Sequence, residues 1–262
     1  PGYERPMMRS DVLIQKKDRL GWLILNRPEN KNTLNTSILR HILECLEILD
    51  ADKDVGVVII KGAGDEGFCA GMDLREWKDM TQLQHREFFG LNAKILTRMG
   101  HMGKPLLSSV HGYAMAGGLG IAAACDIVLA SGDAIFGATE VNVGAAPMII
   151  MAPIFRCVGR HKGLELMLSG RIINATEAEK IGLVNQVYPR GTLDERTLEI
   201  ASDIASKSPI VLKLIREAYY TMSDMEYFKA MRYLTEMIAI TASTKDCKEG
   251  ITAFLEKRKP DW

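Results

Sequence analysis

Residues 105–125 contain no Asp, Glu, Lys or Arg, although Lys104 and Asp126 stand directly at their two ends. A stretch this long without charge has to leave water, either by crossing a membrane or by entering a protein core. Four glycines, Ser108, Ser109 and His111 within it argue against a membrane span and for a buried, glycine-rich core segment. Leu106 to Val110 reads as a strand, Gly117 to Cys125 as a short buried helix and Ile127 to Leu129 as another strand. Two strands joined through a buried helix make an α/β fold the expectation for the whole chain.

The rest of the sequence repeats this grammar. Val12 to Gln15 and Trp22 to Leu25 are short apolar runs that predict the two strands of a hairpin. Asn35 or Thr36 can cap a helix in which Ile38, Leu39, Ile42, Leu43, Leu46 and Leu49 recur at helical spacing. Val55 to Ile60 is continuous and β-branched, as in a strand covered on both faces. A loop with Gly62, Gly64, Gly67 and Gly71 follows, then a helix from Asp73, and further helices after Ala146. Thr176-Glu177-Ala178-Glu179 has a capping-box tendency, and Leu183 to Tyr188 predicts the last strand. From Leu193 to Lys257 helical spacing runs nearly unbroken apart from Pro209. The expected division is therefore a core over residues 1–195 and a helical region over 196–262.

Charge excludes some functions. Lys and Arg number 33 against 33 Asp and Glu, a net charge of zero, so no global field favours nucleic acid or an anionic membrane as a partner. Five scattered cysteines without a C-x-x-C pair, and histidines without metal spacing, argue against a disulfide scaffold and a metal site. A reducing compartment is expected, a cytoplasm or an organelle matrix. Pro1 to Pro6 show no apolar signal-peptide region, with Met7 or Met8 as a candidate natural start.

Gly118-Leu119-Gly120-Ile121-Ala122-Ala123 matches a dinucleotide-binding pattern, with Glu140 at the right distance for a ribose contact. Its context fails, because the glycines do not directly follow a strand and the next strand begins too soon for a crossover helix. Walker-A, nucleophile-elbow and H-E-x-x-H patterns are absent. What remains is a pair of glycine-rich turns, Gly67 to Leu74 and His111 to Gly120, each between a strand and a helix. Backbone amides at such turns are unpaired and approachable, so two of them converging on one oxygen would form an oxyanion hole. The same glycines would also serve close helix packing.

Several ordered motifs resemble the crotonase superfamily, the enoyl-CoA hydratase/isomerase family. They are Asn26-Arg27-Pro28 with Asn32-Thr33-Leu34-Asn35, Phe68 to Leu74, and His111-Gly112-Tyr113-Ala114 leading into Gly117-Gly118. Cys125-Asp126-Ile127, Phe136-Gly137, Glu140 and Gly250 to Arg258 complete a likeness that spans essentially the whole chain. The resemblance implies a spiral of ββα units with a C-terminal helical trimerisation region, assembled as a homotrimer or homohexamer and acting on coenzyme A thioesters. It implies no permanently bound cofactor, coenzyme A entering as part of the substrate. The thioester oxygen would be held by the amides of Met72 and Gly117. Coenzyme A would lie along Arg27 to Asn32, with Lys31 a candidate phosphate contact, and Ala70 beside the pantetheine arm. Phe254 and Lys257 would reach the nucleotide end from a neighbouring subunit, although Lys31 and Lys257 taken singly read more often as plain solvated charges.

Hydratases of the family carry two glutamates, at the positions of Gly120 and Glu140, so one acid is missing here. Adding water across a conjugated double bond uses both a base and an acid, whereas moving a double bond needs one base that shuttles a proton. Glu140 alone therefore favours isomerisation of an enoyl-CoA, with hydration next and a catalytically weak acyl-CoA-binding subunit as a third reading. If the missing acid alone sets the reaction, Gly120→Glu restores hydration. Glu140 also reads as an ordinary helix-start acid, but its apolar neighbours predict a carboxyl that is partly desolvated. Met148 and Met151 stand where hydratases carry glycines, to line an acyl pocket or to fill core gaps. Asn142 offers no nucleophile for dehalogenation.

Overall fold

The computed structural model describes residues 7–9 and 11–262. The expectations for Pro1 to Pro6 lie outside the described residues, while Met7 and Met8 fall in the first strand. Strands β1 (Met7–Arg9), β2 (Val12–Lys17) and β3 (Leu20–Leu25) form an antiparallel ribbon, in which β2 and β3 are the hairpin that the paired apolar runs predict and β1 is a further strand. Helix α1 (Thr36–Ala51) then crosses to β4 (Val57–Gly62), parallel to β3. Asn35 is the cap, its side-chain oxygen accepting the Ile38 amide at 2.9 Å.

From β4 onward the chain winds in repeated units, each giving one strand to a large sheet, one to a small sheet and then a helix. The first unit is β4, β5 (Gly67–Cys69), α2 (Leu74–Trp77) and α3 (Gln82–His101). The second is β6 (Leu106–Val110), β7 (Tyr113–Met115) and α4 (Gly117–Ala123). The third is β8 (Ile127–Ser131), β9 (Ile135–Gly137), α5 (Met148–Cys157) and α6 (Arg160–Ser169). The winding closes with β10 (Ile172–Asn174), α7 (Ala175–Lys180) and β11 (Gln186–Tyr188). The large sheet has the order β1-β2-β3-β4-β6-β8-β11, and the small one β10-β9-β7-β5.

Alternation within β3 and β4 separates two apolar layers. Leu23, Leu25, Val58 and Ile60 point into the main core, against Leu39, Leu46 and Phe68. Trp22, Ile24, Val57 and Ile59 point to the other face, where Leu193, Ala201 and Ala205 of α8 (Leu193–Ala205) cover them. A strand buried on both faces explains the unbroken apolar run read from the sequence. The boundary expected between residues 195 and 196 thus falls inside α8.

Three helices complete the chain: α9 (Pro209–Met222), α10 (Tyr227–Ala242) and α11 (Lys245–Leu255). Arg216 anchors α9 to the core: it is buried, its Nε donates to Asp126 at 2.7 Å, and its other nitrogens donate to the carbonyls of Met99 and Met102.

Three local expectations need correction. The helix after Asp73 is a single turn, and the long helix begins only at Gln82, with Thr81 and Gln84 forming a reciprocal capping box. Asn174, not Thr176, caps α7, because its oxygen is already extended toward the Glu177 amide at 2.8 Å. The final strand is confined to Gln186–Tyr188.

Candidate active site

Three strands of the small sheet run parallel, β5 beside β7 and β7 beside β9. Each ends just before one of the residues singled out for chemistry: Cys69 precedes Met72 by three, Met115 precedes Gly117 by two, and Gly137 precedes Glu140 by three. Met115 pairs with Gly137 in register, so the chain leaves β7 and β9 side by side. Ligands in α/β proteins collect at such carboxyl ends of parallel strands.

The two glycine turns meet here. Gly71 has φ +96°, and a Cβ placed on it would lie 2.8 Å from the Ala116 Cβ and 3.5 Å from the Gly117 nitrogen. The Met72 thioether in turn lies over Gly117, where a Cβ would meet its sulfur at 3.0 Å. Leu34 donates to the Gly71 carbonyl at 2.8 Å and accepts from the Asp73 amide at 2.9 Å. In a parallel bridge of this kind the intervening Met72 amide faces the opposite side. Among the described residues neither the Met72 nor the Gly117 amide has an acceptor. Ala116 sits at φ +48°, ψ −123°, a conformation unfavourable for a residue with a side chain. Its amide, bonded to the Gly137 carbonyl at 2.8 Å, and its carbonyl, bonded to the Gly120 amide at 3.1 Å, hold it there.

Glu140 lies in a short 3-10 turn, Thr139–Val143. Its Oε2 is buried without a hydrogen-bond partner, and burial pushes its pKa above the usual glutamate range against a weaker pull from its own amide. The carboxylate is thus partly desolvated, as the apolar neighbours predict, and more basic than an exposed one. Cys69, next to the turn, is not a competing nucleophile: its sulfur accepts the Gly71 amide at 3.4 Å and burial drives its thiol pKa up to about 12.

The position of the missing acid is not vacant. A Cβ on Gly120 would lie 2.4 Å from Cγ2 and 3.0 Å from Cβ of Ile150, a fully packed residue of α5. Gly120→Glu alone therefore collides with a stiff, β-branched side chain, so a second acid at this position requires Ile150 to move.

The remaining expected contacts are placed as follows. Arg27 is turned onto its own loop, its guanidinium donating to the Thr33 carbonyl at 3.1 Å and lying 3.9 Å from Asp73. Lys31 is exposed, and its carbonyl accepts the Ala70 amide at 3.1 Å, which sets Ala70 beside the 27–32 loop. Phe254 and Lys257 are exposed at the far end of the chain, after α11 has packed on α9 and α10. Met148 is exposed, whereas Met151 packs against the core. Asn142 donates to the Gly170 carbonyl at 3.1 Å.

Sequence reasoning missed the parts that Ala116 and Ile150 play in the site, and named Asn32 only within its loop, not as the residue that pins it. Asn32 is buried, accepts the Arg27 amide at 2.9 Å and donates to the Ala63 and Gly67 carbonyls at 3.0 Å each, pinning the loop to β5. A buried Asn needs such partners. Among the described residues no cluster of His, Cys, Asp or Glu is arranged to hold a metal, and no helix is long and apolar enough to cross a membrane.

A family model described as enoyl-CoA hydratase/isomerase matches residues 15–262. The chain belongs to this family. It is 34% identical to the short-chain-enoyl-CoA hydratase of Clostridium acetobutylicum, over 97% of either chain. It is 33% identical to the crotonyl-CoA hydratase of Syntrophomonas wolfei, over 98% of this chain and 99% of that one. The crystal structure of an enoyl-CoA hydratase from Mycobacterium smegmatis superposes with a TM-score of 0.93 at 28% identity, covering 97% of this chain and 99% of the other. The fold is thus the crotonase fold, and the chain is an enzyme of that superfamily.

Proposed function

We propose that this protein isomerises enoyl-CoA thioesters, moving a double bond from the β,γ to the α,β position. The observation that carries the reading is one partly buried carboxylate, Glu140, whose Oε2 lacks a partner and which follows the strand paired with the one leading to Gly117, while Ile150 fills the space over Gly120.

In this mechanism the thioester oxygen accepts hydrogen bonds from the Met72 and Gly117 amides. Glu140 removes a proton from C2, and the electron pair spreads through the double bond to give a dienolate whose oxygen carries the charge. Preorganised amides stabilise that charge without reorganising, and each is worth about 10²–10³ in rate. The same proton then passes from the Glu140 carboxyl to C4, regenerating the carboxylate. Burial assists because it raises the basicity of Glu140 toward that of a useful base.

Coenzyme A lies along Arg27 to Asn32 with its pantetheine arm by Ala70, and no resident cofactor is required. The exposed apolar side chains of α9, α10 and α11, including Ile215, Tyr219, Phe228, Met231 and Ile238, support a trimer or a hexamer. Phe254 and Lys257 of a neighbouring subunit then approach the nucleotide end. Cys69, Cys125, Cys157 and Cys247 as free thiols fit a reducing compartment, a cytoplasm or an organelle matrix.

Hydration is the second reading, supported by the names of the hydratases this chain resembles. Parallel assays with 3-hexenoyl-CoA and crotonyl-CoA, following the conjugated thioester absorbance, decide between them. Gain of absorbance with the first and no loss with the second is expected. Rapid loss with crotonyl-CoA overturns the isomerase reading.

A further inference from the structure

We propose that Ile150 is a specificity-determining residue that keeps water off the reacting face, so that the proton taken by Glu140 goes back to the substrate instead of exchanging with solvent. The inference rests on the isomerase reading above. A side chain on a helix leans toward the N-terminus and covers the preceding turn. The volume a side chain at Gly120 would enter is therefore over the first turn of α4, the turn that opens with Gly117. Ile150 occupies that volume, 2.4 Å from the Cβ position of residue 120. It is 2% exposed and β-branched, so it neither swings aside readily nor offers a polar atom.

A water held beside a reacting centre needs polar partners from the walls around it. Ile150 and Gly120 supply no polar side-chain atom, and the Glu140 oxygen that points into protein has no partner that could relay a proton outward. A proton held on the buried Oε2 then has no outward path through the protein, and C4 is its outlet. The pair of residues thus does two things: it removes the second acid and closes the place where a hydrating water would stand.

The test is isomerisation of unlabelled 3-hexenoyl-CoA in D2O, reading deuterium at C4 of the product by mass spectrometry after a single turnover. Wild type is expected to return mostly protium. Ile150→Ala opens the wall, and its product is expected to carry about threefold or more deuterium at C4 as solvent reaches the Glu140 carboxyl. Ile150→Val, which removes one methyl and keeps the fold, falls between them. A merely structural role for Ile150 lowers turnover and melting temperature but leaves the deuterium fraction unchanged, and that result overturns the inference. Full exchange by wild type also overturns it while leaving isomerisation by Glu140 intact. Failure of wild type to turn over 3-hexenoyl-CoA overturns the functional reading and this inference together.

Discussion

Glu140→Gln moves rate and stability in opposite directions, which makes it the sharpest perturbation of the site. Gln keeps the shape of Glu but cannot accept the C2 proton. A positioned general base contributes about 10²–10⁴ in rate, so kcat falls by that factor, about 3–5 kcal/mol of barrier, with KM little changed. Stability rises instead. Burial lifts the folded-state pKa of Glu140 above that of the unfolded chain, and Oε2 has no partner to offset it. As pH rises, the unfolded chain loses this proton first, and the native state binds more protons in the interval between the two values. The stabilisation from the protonated carboxyl is full below the unfolded pKa and lost as pH climbs through the folded one. At neutral pH the native state holds a poorly solvated charge, and leaving a buried polar group unsatisfied costs about 1–3 kcal/mol. Glu140 is only partly buried, so the lower end applies, and about 1 kcal/mol corresponds to about 2–4 °C in melting temperature. Thermal melts of both proteins from acid to neutral pH should show the variant pulling ahead as pH rises, alongside steady-state kinetics. A variant that turns over within tenfold of wild type, or that melts lower at neutral pH, refutes the assignment.

Further outcomes follow from the same geometry. The kcat pH profile should rise through a midpoint above the ordinary glutamate range, because the base must be ionised and burial raises its pKa. Gly71→Ala combines a φ of +96° with a 2.8 Å approach to Ala116, so it should displace the Met72 amide and lower kcat by about 10²–10³. Arg216→Met removes a buried cation from Asp126 and two carbonyls; urea unfolding should show a loss of about 3 kcal/mol, the low end for a broken buried pair because Asp126 keeps some solvent contact. Asn32→Ala strands the Ala63 and Gly67 carbonyls and should raise KM for the thioester more than it lowers kcat, since it loosens the 27–32 loop and leaves Glu140 alone.

Much of this fold is legible along the chain because its long elements carry their own signal. Strands β3, β4 and β6 are five or six residues long and mostly apolar, and α1 shows a helical period with a capping Asn, so each is set by local pattern. The four strands of the small sheet have three residues each, too short for a period-two pattern, and β5 and β7 lie within stretches that read as glycine turns. They exist because neighbouring strands satisfy their backbone groups, a condition visible only once the spiral has closed.

The sequence by itself determined the α/β class, the two glycine turns and, through the resemblance, the reading of Glu140 as one carboxylate where hydratases of the family carry two. Tertiary structure alone decided that β5, β7 and β9 deliver Met72, Gly117 and Glu140 to one edge. It also decided that Arg27 is spent on its own loop and that Ile150, thirty positions from Gly120, fills the gap. The physical reason is range: capping, periodicity and backbone conformation act within a few residues, whereas desolvation of Glu140 and the filling of space at Gly120 depend on atoms that only packing brings together.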